Sequence, residues 1–280
     1  MVESLIERLI NLAIAEDIGD GDHSSLSCIP AEADGKVKLM MKQQGIIAGV
    51  DIAKLIYHKI NSEIKFEPLV KDGTLLNKGD FVFIASGKVH SLLQAERIVL
   101  NVMQRMSGIA TQTNKYVKMV EGTKAKILDT RKTTPGMRVF DKLAVKIGGG
   151  ENHRMGLFDM IMLKDNHIDF AGGIENAIRK ANDYLLKTGK NIGIEVETRN
   201  LKEVELVLKV GRVQRIMLDN FNIDDTRKAV NLIGGRFETE SSGGITLDTI
   251  RGYAECGVDY ISVGAITHQI QSIDMNLKKV

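Results

Sequence analysis

The sequence has few cysteines, no surplus of positive charge and no long apolar run. Cys28 and Cys256 are the only cysteines among 280 residues and lie far apart, so neither a disulfide framework nor a zinc site is indicated. Lys and Arg total 38 against 36 Asp and Glu, which is not the basic surplus of a nucleic-acid-binding protein. No apolar run approaches the roughly 20 residues that span a bilayer. We therefore predict a soluble, cytoplasmic protein with neither nucleic acid nor membrane among its partners.

The first 20 residues resemble a targeting segment in position but not in pattern. Apolar residues recur at helical spacing from Val2 to Ala13, while Glu3, Glu7 and Arg8 occupy another face. A signal peptide has an unbroken apolar core instead. The spacing therefore predicts an amphipathic helix.

The part of the chain up to about residue 110 alternates short β-like runs with turns. The runs cover residues 36–41, 45–49, 64–69 and 80–85, and Gly- and Asp-containing turns separate them. Ser91 is predicted to cap a helix that continues through Met106. The pattern indicates an N-terminal mixed α/β sandwich domain over residues 1–110, onto which the tail 269–280 can pack back.

The sequence pattern changes beyond about residue 125, where short apolar runs alternate with predicted helical segments. The runs lie at 127–128, 160–163, 192–196, 216–218, around Phe237 and at 260–263, and the helices at 173–187, 201–210, 224–232 and 247–255. Such alternation is typical of parallel β/α architecture. A closed barrel has eight strands, and about six are present. We predict an open, incomplete β/α barrel over residues 111–268, with a doubly wound sheet as the alternative.

Each predicted strand of this second half ends in polar residues or glycine. The endings are Asp129 to Lys132, Lys164 to His167, Glu195 to Glu197, Asp219-Asn220, Glu240 to Gly244 and Gly264-Ala265. In a β/α barrel all strand ends open onto one face, which carries the active site. Six consecutive polar endings favour a functional rim over a merely solvated edge.

The last two endings have the composition of a phosphate site. Ser242, Gly243 and Gly244 offer a hydroxyl group and close backbone approach, and Val263, Gly264 and Ala265 lead toward a predicted helix start. Backbone N–H groups at a helix start favour anions, and barrel enzymes often bind phosphate with the loops after their final strands.

The middle of the predicted rim is cationic. It contains Arg131, Lys132, Arg138, Arg154 and Lys164, with His153 beside Arg154. The planar donor fork of Arg matches carboxylates and phosphates, and Lys adds a compact charge. The cluster favours an anionic ligand with more than one acidic group over a solvated charged surface. A histidine such as His153 is, taken alone, more often structural than catalytic.

Glu197 and Asp219 face the same predicted site and would repel phosphates without a mediator. Mg²⁺ binds few protein carboxylates and completes its shell with water and phosphate oxygens. We predict that the two acids serve a magnesium-bound sugar pyrophosphate. The alternative is a structural acid paired with a lysine of the rim.

Several segments resemble the quinolinate phosphoribosyltransferase family. The main one is ILDTRKTTPGMRVFDKLAVKIGGGENHRMGLFDMIMLKDNHI over residues 127–168. Others are AERIVLNVMQRMSGIAT (95–111), EVE (195–197), MLDNF (217–221), ESSGGI (240–245), GVDYISVGAITH (257–268) and EDIGDGD near the start. The resemblance covers essentially the whole chain. One departure is Asp22 to Ser25, where the family more often has an apolar residue and threonine.

The resemblance implies an N-terminal α/β domain, an open α/β barrel and a homodimer with its active site at the subunit interface, a hexamer being left open. It implies transfer of phosphoribose from 5-phosphoribosyl-1-pyrophosphate to quinolinate with Mg²⁺, releasing pyrophosphate and carbon dioxide and forming nicotinate mononucleotide. Arg105 would reach into the neighbouring subunit's site.

The site residues that the resemblance implies fall into groups according to their role and to the ligand that they would bind. Lys132, Lys164, Glu197 and Asp219 would be catalytic, and Glu197 and Asp219 would serve the ribose hydroxyls and magnesium. Ser242–Gly244 and Val263–Ala265 would hold phosphate. Thr130 would also bind substrate. The dicarboxylate would bind to Arg131, Lys132, His153, Arg154 and Lys164.

Three other functions fit parts of the pattern. A phosphoribosyltransferase could use nicotinate or another acid, and related sequences also occur beside molybdenum transport systems. A monocarboxylate would, however, leave buried cations unpaired. A non-catalytic sensor of a phosphorylated metabolite has little use for both Glu197 and Asp219. A lyase or aldolase would use Lys132 or Lys164 as a Schiff-base amine.

Overall fold

The computed structural model describes residues 2–280, and side chains from residue 4 onward. The chain divides into two compact units. We call the first the N-terminal unit; it comprises residues up to Asn114, Thr133–Gly149 and Ala265–Val280. The second, the barrel unit, comprises Lys115–Lys132 and Gly150–Gly264. The predicted domain boundary after residue 110 and the division after Asn114 both lie within one long helix.

The helices are α1 (Val2–Ile18), α2 (His23–Cys28), α3 (Val50–Ile60), α4 (Val89–Met119), α5 (Arg138–Ile147), α6 (Asp165–Ala171), α7 (Ile174–Thr188), α8 (Leu201–Val210), α9 (Ile223–Ile233), α10 (Ile250–Glu255) and α11 (Ala265–His268). The strands are β1 (Asp34–Met41), β2 (Gly45–Ile46), β3 (Lys65–Pro68), β4 (Leu75–Leu76), β5 (Phe81–Lys88), β6 (Lys126–Leu128), β7 (Ile161–Leu163), β8 (Ile194–Thr198), β9 (Arg215–Asp219), β10 (Glu238–Ser242), β11 (Tyr260–Ser262) and β12 (Met275–Lys279). Among the described residues, no helix is long and apolar enough to cross a membrane.

The N-terminal unit is built on an antiparallel four-stranded sheet in the order β12-β1-β5-β3. Strand β1 alternates buried and less buried residues, with Leu39 paired to Leu277 on one side and to Phe83 on the other. This period of two buries one face of the sheet. The predicted N-terminal α/β sandwich is confirmed. The tail strand β12 completes this sheet by pairing with β1.

The amphipathic helix predicted at the start of the chain is α1. Ile10 is buried, whereas Glu7 and Arg8 are exposed, as the helical spacing requires. The predicted helix also includes Met1 and the side chains of Val2 and Glu3, which lie outside the part that the structure describes.

Two helices of the N-terminal unit begin where local sequence gives a weak signal. The sequence analysis did not identify α3, whose first N–H group, that of Val50, donates to Asp72 from a turn later in the chain at 2.9 Å. Helix α4 begins at Val89, so Ser91 lies inside the helix and the predicted cap is wrong. The hydroxyl group of Ser91 instead accepts a hydrogen bond from Asn61 at 3.1 Å.

Residues 133–149, which the sequence analysis placed in the barrel domain, cluster with the N-terminal unit. They contain α5, which packs against α1. The Asp141 carboxylate of α5 also pairs with Arg105 of α4. The order of the predicted strands and helices does not indicate these contacts.

The barrel unit contains a six-stranded parallel sheet in the order β6-β11-β10-β9-β8-β7. Strands β7 to β11 follow one another without reversal, and β6 lies beside β11. A doubly wound sheet would reverse its order at an internal switch point, so the open barrel is correct and the alternative is wrong. The six predicted apolar runs correspond to these six strands.

The core of the barrel unit lies between the sheet and its helices. Val196, Ile216 and Leu218 of the sheet are fully buried against Val204 and Ile178 of the helices. Helices α8 and α9 begin at side-chain caps, since Asn200 accepts from the Glu203 N–H at 3.1 Å and Asn222 from that of Asp225 at 2.8 Å. Such caps satisfy N–H groups that a helix leaves unpaired.

Candidate active site

The carboxyl ends of the six parallel strands bring the predicted rim residues of the barrel unit to one edge of the sheet. Because parallel strands all point the same way, Lys164 after β7, Glu197 in β8, Asp219 in β9 and Ser242 in β10 share this edge. Arg131 and Lys132 follow β6 on the neighbouring side of β11. The structure therefore brings together residues spread over more than 100 positions.

Lys164 and Glu197 form an ion pair across two adjacent strands. The lysine Nζ lies 3.2 Å from Glu197 Oε2, with side chains 48% and 9% exposed. The sequence analysis assigned these residues to different ligands, with pairing to a lysine of the rim as its alternative for the acid. The pair is half open to solvent, so its strength is modest, and an anionic or hydroxyl ligand can compete for either member.

Asp219 is held by its neighbour Asn220, which also fixes the next loop. Asn220 Nδ2 donates to Asp219 Oδ2 at 2.7 Å, and its backbone N–H donates to the Ser242 carbonyl oxygen at 2.9 Å. Asn220 has φ of 55° and Gly243 has φ of 95°, and a Cβ atom on Gly243 would collide with the Asn220 side chain. Only glycine fits this approach without strain.

The cationic segment after β6 is anchored by a buried carboxylate. Asp129 is fully buried and accepts hydrogen bonds from the His153 N–H at 2.8 Å and from Asn152 Nδ2 at 2.6 Å. Beyond it, the Lys132 N–H donates to Thr130 Oγ1 at 3.0 Å. Asp129 thus ties the segment that carries the exposed residues Arg131 and Lys132 to the segment that begins at His153.

Arg154 is a buried cation close to another cation. Its residue is 9% exposed, and Nη1 donates to the Met160 carbonyl oxygen at 3.1 Å. Burial and then the charge of Arg131 lower the pKa of Arg154, while Glu195 and Asp159 act in the opposite direction. Two neighbouring guanidinium groups repel each other unless an anion lies between them, so Arg131 and Arg154 favour an anionic ligand.

Two of the predicted cationic residues belong to the N-terminal unit. Arg138 is the first residue of α5, and its Nε donates to Thr133 Oγ1 at 3.1 Å. Arg105 lies in α4 and binds Asp141 and Thr134. Both therefore belong to a different compact unit from the edge of the parallel sheet.

The phosphate residues predicted after the last strand lie at the end of β11. The Val263 N–H donates to the Leu128 carbonyl oxygen at 3.0 Å, which fixes the strand end beside β6. Gly264 follows, and Ala265 begins the four-residue helix α11. Val263 and Gly264 belong to the barrel unit, and Ala265 is grouped with the N-terminal unit.

His153 lies inside the barrel unit in a cluster of buried charged side chains. Its Nε2 is 2.9 Å from Glu195 Oε2 and 3.3 Å from Glu240 Oε2, and Arg215 Nη1 is 2.9 Å from the same Glu240 atom. We call His153, Glu195, Glu240 and Arg215 the inner cluster. Both acids were predicted only as strand endings, although Glu195 lies inside the apolar run 192–196, where an acid was a usable signal.

The inner cluster shifts the protonation of its members. Burial lowers the pKa of His153, but its hydrogen bonds with Glu195 and Glu240 outweigh burial and raise it to about 9. Burial and the nearby Glu240 raise the pKa of Glu195 to about 7. His153 Nδ1 accepts the Arg154 N–H at 2.7 Å, which places the proton of the neutral ring on Nε2. The cluster therefore retains protons near neutral pH.

Two family models match the chain. The model of the C-terminal domain of quinolinate phosphoribosyl transferase matches residues 109–278, and the model of the N-terminal domain of the same family matches residues 22–107. Together they account for nearly all of the sequence.

Similar proteins and structures carry related names. A protein of Arabidopsis thaliana named nicotinate-nucleotide pyrophosphorylase (carboxylating), chloroplastic, is 45% identical over 288 residues, which cover 98% of this chain and 82% of that protein. A probable nicotinate-nucleotide pyrophosphorylase (carboxylating) of Bacillus subtilis is 40% identical, covering 97% of this chain and 92% of that protein. The crystal structure of NadC from Streptococcus pyogenes has a TM-score of 0.92 at 38% identity, covering 98% and 97% of the two chains.

Proposed function

Because the chain belongs to the quinolinate phosphoribosyl transferase family, we propose that it transfers phosphoribose from 5-phosphoribosyl-1-pyrophosphate to quinolinate. The products are nicotinate mononucleotide, pyrophosphate and carbon dioxide, which makes the protein a pentosyltransferase of NAD biosynthesis. The observation that carries the proposal is the arrangement at one sheet edge of clustered cations, two carboxylates and a glycine loop. These groups match the dicarboxylate, the ribose and the phosphates of the two substrates.

The dicarboxylate is assigned to the cationic side of this edge. Arg131 and Arg154 repel each other without an anion, and Lys132 and Lys164 add two further positive charges. Quinolinate offers these cations two carboxylates, whereas a monocarboxylate offers one, and each carboxylate can form charge-assisted hydrogen bonds with Arg or Lys. His153 was predicted to bind quinolinate as well, but its side chain is only 5% exposed, and we give it a positioning role.

The ribose and the leaving group are assigned to the carboxylate side. Glu197 and Asp219 provide hard oxygen donors of the type that Mg²⁺ prefers, so the donor set fits the metal. When bound there with the substrate, Mg²⁺ supplies charge neutralisation to the pyrophosphate. Asn220 keeps Asp219 in place. The Glu197 carboxylate exchanges its contact with Lys164 for hydrogen bonds that the ribose hydroxyl groups donate.

The phosphate of the transferred group is assigned to the loops after β10 and β11. Ser242, Gly243 and Gly244 combine a hydroxyl group with backbone that lacks side chains. Val263 and Gly264, followed by Ala265, provide a second short loop. Barrel folds commonly bind phosphate with the loops after their last strands.

The chemistry requires little covalent participation by the protein. The bond between the anomeric carbon and the pyrophosphate oxygen breaks, and the pyridine nitrogen supplies the electron pair of the new C–N bond. The adjacent carboxylate then leaves as carbon dioxide, and the ring carbon that keeps its electron pair takes up a proton. The residues act by orienting both substrates and by stabilising charge through Lys132 and Lys164, and no lysine adduct forms.

A homodimer completes this proposal, with Arg105 contributed to the neighbouring subunit's site. Arg105 is held in one orientation by Asp141, as a residue that serves a partner's site should be. Exposed apolar side chains of the barrel unit, such as Phe170 at 92% and Leu157 at 71%, are available for burial in such a dimer interface. We also propose a cytoplasmic location, although relatives in plants are named chloroplastic or mitochondrial; cell fractionation tests it.

The test is an assay with quinolinate, phosphoribosyl pyrophosphate and Mg²⁺ that follows nicotinate mononucleotide and carbon dioxide. Nicotinate is run in parallel, and chelation of the metal serves as the control for Mg²⁺. Turnover of quinolinate alone supports the proposal. Turnover of nicotinate alone overturns the substrate. No turnover with either acid, together with a borohydride-trapped carbonyl adduct on Lys132 or Lys164, overturns the proposed reaction class.

A further inference from the structure

The inner cluster places four ionisable side chains where a β/α barrel normally has branched apolar residues. Glu195 and Glu240 are fully buried, and the side chains of His153 and Arg215 are 5% and 11% exposed. Burying ions is costly, and well-packed apolar replacements are often equally or more stable. Stability alone therefore gives a weak reason for such a cluster.

The inner cluster lies one layer below the proposed substrate-binding residues. Side chains two positions apart on a strand point to the same face. Glu195 therefore shares its face of β8 with Glu197, and Glu240 shares its face of β10 with Ser242. The buried acids are thus aligned with the residues assigned to the ribose and the phosphate.

Close contacts lead from the inner cluster, through His153, to the backbone segments that carry the cations assigned to quinolinate. Glu195 and Glu240 hold Nε2 of His153, and Nδ1 of the same ring accepts the Arg154 N–H at 2.7 Å. The His153 N–H in turn donates to Asp129 Oδ1 at 2.8 Å, and Asp129 opens the segment that carries Arg131. His153 therefore contacts the backbone of Arg154 through its ring and, through its own backbone, the Asp129 carboxylate two positions before Arg131.

We propose that Glu195 and Glu240 are positioning residues that fix His153 and, through it, hold Arg131 and Arg154 in the geometry that binds the dicarboxylate. The proposal rests on the proposed function, because it presumes that these two arginines bind the acidic substrate. It gives the buried acids a larger role in the affinity for quinolinate than in that for phosphoribosyl pyrophosphate, because His153 contacts the segments that carry Arg131 and Arg154.

A buried metal ion is the rival explanation. Ligand atoms of His153, Glu195 and Glu240 lie within 4.8 Å of one another. However, Arg215 already supplies a positive charge 2.9 Å from Glu240, and the imidazole lies at hydrogen-bonding distance from Glu195. These contacts favour an ion-paired cluster over a metal centre.

The experiment compares Glu195→Gln and Glu240→Gln with the matched control Glu238→Gln. Glu238 lies on the same strand as Glu240 and binds the same Arg215 at 3.0 Å, but its side chain is 49% exposed. The full-length enzyme is first shown to turn over quinolinate, so that failure of the proposed function is detected before any variant is interpreted. Glu195→Asp, which keeps the charge, provides a second variant for the case in which the glutamine variant does not fold.

We expect the two buried variants to raise the KM for quinolinate by about tenfold or more, because small displacements of positioning groups have large effects. The KM for phosphoribosyl pyrophosphate should change less than about twofold, and Glu238→Gln should match the wild type. Equal increases for both substrates, or a fall in kcat alone, would overturn the proposal. Stoichiometric metal in the purified wild-type enzyme that disappears in Glu240→Gln would overturn it in favour of the rival.

Discussion

Arg105 and Asp141 form a two-point ion pair between helices α4 and α5 of the N-terminal unit. Arg105 Nε lies 2.8 Å from Asp141 Oδ1, and Nη2 lies 2.8 Å from Oδ2. The carboxylate is fully buried, while the guanidinium group remains 21% exposed. Two parallel bonds fix the plane of the guanidinium group, and Thr134 accepts a further bond from Nη2 at 2.9 Å.

Asp141→Asn should destabilise the protein by about 2 kcal/mol, because Arg105 loses its counter-charge in a largely buried setting. Urea unfolding measures the change in the free energy of unfolding. Thr134→Val is the matched control, since it removes one bond to the same guanidinium group and should cost about 1 kcal/mol or less. An Asp141→Asn variant as stable as the control would show that the ion pair contributes little.

Arg105→Lys should lose most turnover without unfolding the protein, because the lysine keeps a positive charge beside the buried Asp141 carboxylate but lacks the guanidinium group that serves the partner's site. Mixing it with Lys132→Ala, a variant of the site itself, should restore about a quarter of the wild-type activity. In a random mixture half of the dimers are mixed, and each of these holds one complete site. Steady-state assays after subunit exchange measure the recovery. No activity above that of the separate variants would exclude a shared site.

Lys132→Ala should weaken quinolinate more than phosphoribosyl pyrophosphate, since the lysine is assigned to the dicarboxylate. We expect about a tenfold higher KM for quinolinate, equivalent to about 1.4 kcal/mol. The comparison uses Lys202→Ala, a change on the exposed surface of α8, which should leave both constants unchanged. Equal losses for the two substrates would contradict the assigned role.

Gly243→Ala should disturb the loop assigned to phosphate. The glycine has φ of 95°, and an added methyl group meets the Asn220 side chain and backbone. Gly244→Ala is the control, because Gly244 also has positive φ, 62°, but has open space around its Cβ position. Titration of phosphoribosyl pyrophosphate should show a clearly weaker affinity for Gly243→Ala than for Gly244→Ala. Similar affinities would mean that the contact with Asn220 is not required.

The stability of the protein should fall between about pH 6.5 and pH 9 because of His153. Its carboxylate partners raise the folded-state pKa from 6.5 to about 9, so the folded state binds the proton more tightly than the unfolded state. The stabilisation is fully present below about pH 6.5 and is lost as pH rises through about 9. The loss is at most on the order of 3 kcal/mol, and less where the Arg154 N–H opposes a second ring proton.

Unfolding free energies of the wild type and of His153→Gln across this range measure that effect. The wild-type curve should fall more steeply with rising pH than the curve of the variant. Parallel curves would assign the pH dependence to other groups.

Local signals explain what the sequence predicted well. Helix α8 was predicted with its observed bounds, since Asn200 caps it from the adjacent position and Gly211 follows its end. Five of the six strands of the barrel were recognised from apolar runs, which are typical of buried parallel strands. Strand β10 (Glu238–Ser242) has no apolar residue, and the run around Phe237 marks only the residue before it. The residues of the sheet edge followed from that order, since parallel strands must end at the same side.

Long-range contacts explain what the sequence did not show. The cap of α3 comes from Asp72, 22 positions beyond Val50, and no local pattern indicates it. Arg138 was predicted to belong to the cationic rim, and its helix α5 clusters with the N-terminal unit, a grouping that the order along the chain does not indicate. The inner cluster depends on which strands become neighbours. The sequence therefore indicates Glu195 and Glu240 as strand endings but does not indicate that both contact His153.

The pairing of β12 with β1 has a consequence for synthesis on the ribosome. Residues 275–279 are translated after all six strands of the barrel. One side of β1 therefore stays unpaired while the barrel strands emerge from the ribosome. An unpaired strand edge can recruit other chains. The nascent protein is therefore most exposed to misassembly just before its last strand is released, and a bulky group fused directly after β12 would prolong that interval.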